Sequence, residues 1–367
     1  MAEAKRVPDY AVTVDGKELT NDDKLNLQVI QVDLRRQAPA SLELQFDNQD
    51  GTYDGRPEFG PGKEVSVKLG YTTGQTPKPV FKGETIGTTV KLAQNGPRFF
   101  VMRAFDFLHR LTRGRKTRTF LEQKFSEIVG QVCTDHGLTA DSDDTKFKRD
   151  YVIQHNQTDL DFIRGIAGWL DYDLHIRHDS GSSNSLRFKK PEVSGSAVLT
   201  AVYEQPNVNS DTEVFLRKFD ARQSLSRVVS EVVVRGWNPG QKKEIVGRAT
   251  SSDVYGSMGG GSSGAGAVSQ AWGETERQIV DYKVFTQEEA DEIAKTKINE
   301  YARAFLRADI EIQGDPRLHP GMIIAIKRAG SKLDGDYFIE QATHTFSSKV
   351  QQSGGYVTRV IASRCGW

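Results

Sequence analysis

Strict alternation of apolar and polar positions marks both ends of this chain. Leu42, Leu44 and Phe46, and then Val65, Val67 and Leu69, place an apolar side chain at every second residue. That is the pattern of antiparallel strands with one buried and one wet face. Phe99, Val101 and Phe105 predict a further strand, with Arg103 at an inward position. The stretch from Gly60 to Arg103 is answered, nearly in order, by His319 to Arg359: FGPGKEVSVKLG by LHPGMIIAIKRAG, VFKGETIGTTVKL by LDGDYFIEQATHTF, and GPRFFVMRAFD by GGYVTRVIASR. Each copy opens on a Pro-Gly turn, Pro61-Gly62 and Pro320-Gly321. An internal repeat reports architecture directly, and this spacing is far too long for a solenoid. It predicts two related β-domains at opposite ends of the chain, with something different between them.

In the middle the apolar period changes from two to three or four. Thr119 and Glu122 read as a capping box, and Leu121, Phe125, Ile128, Val129 and Val132 form one helical face ending near Gly137. Thr158, with Asp159 and Asp161 in the following turn, predicts the start of a second helix buried through Ile163, Ile166, Ala167 and Leu170. Tyr172, Leu174 and Ile176 then alternate as a strand, and SGSSNS at 180–185 turns the chain into LRFKK. Strands return at RVVSEVVVRGW, residues 227–237. The run from Gly256 to Ala267 reads as a flexible loop projecting from the second β-domain. A helix from Thr286 to about Arg307, with Glu289 completing a capping box, leads into the second β-unit and is expected to pack on it. The predicted organisation is a first β-domain at 1–110, an α+β domain at 111–215, and a second β-domain at 216–367 that carries the loop 256–267 and the helix 286–307.

Composition narrows the function classes. At 367 residues the chain exceeds what one core usually serves. Lys plus Arg equals Asp plus Glu, 49 against 49, which removes the usual argument for a nucleic-acid partner. No apolar run is long enough to span a bilayer, and the first residues lack a signal-peptide core, so export by a standard signal is not expected. Cys133 and Cys365 stand far apart without metal-ligand spacing, and Cys133 falls on the apolar stripe of a predicted helix, as a packed thiol would.

Candidate chemistry is sparse. Asp47, Asp50 and Asp54 lie in one turn-rich loop but lack the glycine and terminal glutamate of a calcium-binding EF-hand. His175 and His178 are the closest histidine pair, and their odd spacing on a strand sends them to opposite faces. Asp159 and Asp161 at a helix amino terminus are explained by the dipole, and His344 has no nucleophile in a suitable context. The Gly-rich run lacks the Gly-Lys-Ser/Thr of a phosphate loop. The basic run from Arg110 to Arg118 resembles an electrostatic patch and reads as easily as a protein-protein surface. No catalytic, cofactor-binding or metal-binding set is therefore assigned, and the chain is read as a non-enzyme.

The segment YVIQHNQTDLDFIRGIAGWLDYDLHIRH resembles the shared segment of phage tail hub proteins of the late control D family and of type VI secretion spike proteins. Tyr151, Thr158, Asp159, Asp161, Phe162, Ala167, Leu170 and Tyr172 match its strand, Thr/Ser-Asp-x-Asp-Phe helix, turn and strand. The closing stretch, with Pro320, Gly321, Gly335, Tyr337, Gly355 and Tyr356, is similar to the same family's last barrel. The resemblance implies that these residues are structural. It also implies a mainly β chain with α+β insertions, in which two tail-tube-like β-barrel or sandwich domains flank an α+β middle domain. The implied function is a structural baseplate hub of a contractile tail or phage-derived injection system. As a homotrimeric ring it would adapt a hexameric tail tube to a trimeric spike, because three chains with two tube-like domains each present six. The implied partners are a second and third copy of the chain, the spike, the first tube ring and other baseplate proteins. No cofactor, nucleic acid or membrane is implied for the resting particle, which is assembled in the bacterial cytoplasm. The sequence ends at Trp367 without a needle-like region, so the spike is expected to be a separate polypeptide. A tail-associated cell-wall hydrolase and a carbohydrate-binding β-protein are the alternative readings.

Overall fold

The computed structural model describes residues 7–72, 76–178, 184–204, 206–207, 210–238, 240–255, 258, 263–280, 284–348 and 355–367. The fold is mainly β, with two β-domains flanking an α+β domain.

The first domain contains β1 (Pro8–Val14), β2 (Lys17–Glu18), a short helix α1 (Asn21–Asn26), β3 (Leu27–Arg35), β4 (Ser41–Asp47), β5 (Glu64–Tyr71), β6 (Lys78–Lys91) and β7 (Phe99–Asp106). Their order in the sheet is β3-β4-β7-β6-β5-β1-β2. Leu42, Leu44, Phe46, Val65, Val67 and Leu69 are all buried, as their alternation requires. In β7 the core positions are Phe100, Met102 and Ala104, whereas Arg103 is exposed and meets Glu43 at 3.0 Å. The expected inward position of Arg103 is therefore corrected: pairing of Met102 with Leu44 turns the even-numbered positions of β7 into the core and leaves Arg103 outside it, with Phe99 and Phe105 half-buried.

The middle domain follows with β8 (Lys116–Lys124), α2 (Phe125–Asp135), β9 (Thr139–Ser142), β10 (Lys148–Gln157), α3 (Asp159–Leu170), β11 (Asp173–Ile176) and β12 (Ser185–Lys189). The first predicted helix starts later than its signature suggested. Thr119, Leu121 and Glu122 lie in β8, where Leu121 faces Tyr151 of β10, and only from Phe125 does the chain turn helical. The Glu127 carboxylate accepts from the Lys124 N–H at 2.8 Å and closes that amino terminus. Cross-strand pairing has overridden a local helix signal. Ile128, Val129, Val132 and Cys133 of α2 pack with Ile163, Ile166 and Ala167 of α3. Burial pushes the Cys133 thiol up to about 12.

The rest of the chain contains β13 (Leu199–Val202), β14 (Glu213–Gln223), β15 (Glu231–Asn238), β16 (Lys243–Thr250), α4 (Gly264–Trp272), β17 (Glu276–Val280), α5 (Gln287–Ala302), β18 (Leu306–Gln313), β19 (Ile323–Lys327), β20 (Gly335–Ser347) and β21 (Gly355–Arg364). Strands β19-β13-β14-β18-β21-β20 close through a β19–β20 pairing into a six-stranded barrel, which draws its first strand from Leu199 onward. The helix α5 packs elsewhere than expected. Its stripe of Ala290, Ile293, Ala294 and Ile298 covers the small sheet β16-β15-β17 through Val232, Val234 and Ile245, and the helix stops at Ala302 because Phe305 and Leu306 enter the barrel core.

The Gly-rich run also departs from expectation. Residues 256, 257 and 259–262 lie outside the described residues, but Gly264–Ala267 form the first turn of α4, with Gly264 and Ala265 buried and Ser263 capping the helix. Ala265 and Val268 belong to the barrel core. A Cβ on Gly264 would lie 2.6 Å from the Phe305 ring, so the glycine is there for close packing rather than mobility.

The repeat holds at the level of single hydrogen bonds. Gly62 (φ 83°) donates to Thr85, and Thr85 donates back to Lys63, at 2.7 and 2.8 Å. Gly321 (φ 84°) donates to Ile339, and Ile339 donates back to Met322, at 2.9 and 2.8 Å. In β6 the register shifts between Thr85 and Gly87, and in β20 between Ile339 and Gln341. A second pair of irregularities falls between Leu27 and Val29 of β3 and between Leu216 and Lys218 of β14. Strands β3, β4, β5, β6 and β7 thus correspond to β14, β18, β19, β20 and β21. The two domains are joined by an antiparallel pairing of β3 with β20, from Val29–Ser347 to Arg35–Gln341, which makes one continuous 13-stranded sheet.

Candidate functional site

The three domains meet around Arg36, which follows β3. Its guanidinium donates to Asp173 at 2.5 Å, to the Asp171 carbonyl at 2.9 Å and carboxylate at 3.2 Å, and to Glu340 at 3.4 Å. The Arg36 carbonyl accepts from the Leu174 N–H at 3.0 Å, and Gln37 donates to the Tyr172 carbonyl at 2.9 Å. Arg303, just after α5, joins Asp171 from the other side, and Ser363 of β21 donates to Glu340 at 3.0 Å. Asp171 caps α3 in the left-handed region, at φ 53°. Burial works against its charge, but Arg303 and Arg36 outweigh it and hold the carboxyl below its usual range. Burial likewise opposes the charge on Arg36, and the surrounding carboxylates of Asp171, Glu340 and Asp173 reverse this and raise its affinity for the proton. The arrangement is a charge-compensated lock between domains. Breaking one partner leaves an uncompensated buried ion.

Beside it lies a cavity of about 200 Å³ lined by Asp106 of the first domain, His175, His178 and Arg187 of the middle domain, and His319 and Gly321 of the second. His175 and His178 therefore share a cavity. The strand that would have separated them ends at Ile176. Burial holds the His175 imidazole down to about 4. His178 accepts from the Lys82 N–H at 3.3 Å and stacks on Phe81. Among the described residues no group of three or more His, Cys, Asp or Glu is placed to hold a metal ion.

The predicted motif residues separate into two clusters. Thr158 caps α3, accepting from the Asp161 N–H at 3.0 Å, while Asp161 pairs with Arg164 at the surface at 2.6 Å. Asp159 does more than face the helix dipole: its carboxylate, buried at 1% exposure, takes Lys116, His136, Arg118 and Gln154 at 2.6, 2.7, 2.8 and 2.9 Å. Phe162 stacks on Phe120 at 5.6 Å, and Tyr172 packs on Phe188. The basic run from Arg110 to Arg118 is spent inside the chain, with Arg110 on Glu84, Arg115 on the Asn156 carbonyl, and Lys116 and Arg118 on Asp159. In the last barrel, Pro320-Gly321 turns into β19, Gly335 opens β20 next to Arg364, and Gly355 opens β21 next to Pro8. Tyr337 donates to the Leu333 carbonyl at 2.7 Å, and Tyr356 meets His344 Nδ1 at 2.8 Å. In the acidic loop, Asp50 accepts from Thr52 and Asp54 from Asn48 and Arg98.

Arg36, Asp171, Asp173, Arg303 and Glu340 were not singled out by sequence reasoning. No periodicity or motif marks them: Arg36, Asp171, Asp173 and Arg303 sit at the ends of elements and Glu340 at a bulge within β20, and all find their partners only through the tertiary fold.

This architecture defines a class: it is the fold of phage tail proteins. Residues 4–348 match the model of the family described as the Alg8 N-terminal domain, and the chain belongs to that family. The 43 kDa tail protein of prophage MuSo2 from Shewanella oneidensis is similar over 97% of this chain and 98% of its own, with a TM-score of 0.70 at 12% identity. A tail protein from Neisseria meningitidis MC58 is similar over 98% of this chain and 97% of its own, with a TM-score of 0.67 at 13% identity. An Escherichia coli type VI secretion component, itself described as similar to T4 bacteriophage tail proteins, covers 93% of this chain with 75% of its own length, at a TM-score of 0.58 and 12% identity. No curated protein matches the chain in sequence.

Proposed function

We propose that this protein is the baseplate hub of a phage tail or phage-derived contractile injection system. It is read as a homotrimeric ring whose six β-domains seat the hexameric tail tube on one side and a trimeric spike on the other. The observation that carries this reading is the duplication itself, conserved down to the Gly62 and Gly321 hydrogen bonds and both bulges. A ring with three chains gains a pseudo-sixfold face only if each chain carries the repeated unit twice, in a head-to-tail arrangement that closes. The lock around Arg36 supports the reading, because a symmetry adaptor must hold its two repeated units at a constant mutual angle. On this reading the protein acts by assembly and not as an enzyme. Thr158, Asp159, Asp161, Phe162, Tyr172, Pro320, Gly321, Gly335, Tyr337, Gly355 and Tyr356 serve the fold. The particle is assembled in the bacterial cytoplasm, and other baseplate proteins surround the ring. The test is the copy number in the hub layer of the purified particle, by density map or native mass. Three copies are expected, and six or one would refute the reading.

A further inference from the structure

Among the described residues, the late part of β6 and the late part of β14 each have one unpaired side, and they are the counterparts of the two edges that meet inside the chain. With the domains aligned on their bulges, residues 341–347 of β20 correspond to 87–93, and residues 29–35 of β3 to 218–224. Inside the chain, 341–347 pairs with 29–35. Among the described residues, Gly87–Lys91 pairs only with β7, and Lys218–Gln223 only with β18. Side chains buried at the closed edges are uncovered at the open ones. Ala342, His344 and Phe346 are buried, whereas Thr88 is exposed, Val90 is 40% exposed and Leu92 is 69% exposed. Ile30, Val32 and Leu34 are buried, whereas Phe219 is half-buried and Ala221 and Gln223 are exposed. An uncapped edge with apolar side chains invites another strand.

We propose that the two open edges pair with each other between copies of this chain. β6 of one copy adds antiparallel to β14 of the next, in the register that β20 and β3 use internally. That register sets Thr88 opposite Gln223, Val90 opposite Ala221, Lys91 opposite Asp220 and Leu92 opposite Phe219. The alignment rests on backbone bulges alone, yet it produces one pair of opposite charges, two apolar pairs and no like-charged pair. Cross-strand pairs of these kinds are favourable. The occupant of each edge is therefore a second copy, and the contact is heterologous, so it consumes every edge only when a ring closes. Closure at three copies rests on the hub reading above; the pairing and its register do not.

The test uses the full chain carrying Val90→Cys with Ala221→Cys; the native thiols of Cys133 and Cys365 are buried and do not compete. Oxidation, both of purified chain at rising concentration and of the assembled tail, should give covalent dimers and trimers and nothing larger. Thr89→Cys with Ala221→Cys points the first thiol to the opposite face and should give no product. Absence of the V90C/A221C product in both preparations would overturn the pairing, whatever the copy number. A covalent ladder extending beyond three chains would uphold the pairing and sink the threefold reading. As a second measurement, Lys91→Asp and Asp220→Lys should each weaken ring formation alone and restore it together. Failure of the double variant to recover, with monomer melting unchanged, would refute the register.

Discussion

Ile86 and Glu340 hold the same position in the two β-domains. Each is the extra residue of a bulge, between Thr85 and Gly87 in β6 and between Ile339 and Gln341 in β20. Their chemistry has diverged: Ile86 is 41% exposed, whereas Glu340 accepts from Arg36 and Ser363. Losing a bulge would shift the register and turn every later side chain to the wrong face, so the backbone irregularity persists while the side chain follows its neighbours.

Replacing Arg36 with Ala should destabilise the chain by about 3–5 kcal/mol, because Asp171 and Asp173 lose a buried partner. Arg36→Lys should recover only part of this, since an ammonium lacks the planar fork. Thermal unfolding checks the order of wild type, Lys and Ala. A loss no larger than that of a surface substitution would show that the lock contributes little.

Asp159 sets an acid limit. Burial opposes its charge, yet His136, Lys116, Gln154 and Arg118 together hold its pKa at about 2. This is below the unfolded value of about 3.9, so its contribution is complete above about pH 4 and is lost as pH falls toward 2. Acid titration of Asp159→Asn should be flatter than wild type across that window, and an unchanged slope would contradict the assignment.

His344 acts at higher pH. Burial keeps its pKa near 4, although the Leu318 carbonyl and Asp315 pull upward. The unfolded chain takes up this proton first, near pH 6.5, so stability is full above that and declines as pH drops toward 4. His344→Leu should reduce the decline. At neutral pH it should also cost about 1–3 kcal/mol by stranding the Tyr356 hydroxyl and the Leu318 carbonyl.

Gly264→Ala should cost about 1–3 kcal/mol by forcing a methyl against Phe305. Gly165→Ala, in α3 with open space around it, should instead stabilise by about 0.5–1 kcal/mol. Melting temperatures that moved the same way in both variants would mean that the end of the Gly-rich run is not packed structure.

What could be read without the fold was local or repeated. Alternation in β4 and β5, the Thr158 cap, and the twin Pro-Gly turns depend on residues a few positions apart, where backbone period and turn chemistry act directly. The duplication was visible for the same reason, since each copy carries its own turns. Long-range pairing decided the rest. Leu121 sits on a strand because Tyr151 faces it, against a helix signal in its own neighbours. The end of a run whose composition signals mobility became a buried helix start because the Phe305 ring leaves no room for a Cβ at Gly264. Arg36 reaches Asp173 across 137 positions and Glu340 across 304, distances over which no sequence period carries information. Whether an edge is closed, as in β20, or open, as in β6, is a property of the assembled sheet: equivalent backbones acquire different roles according to what the fold brings beside them.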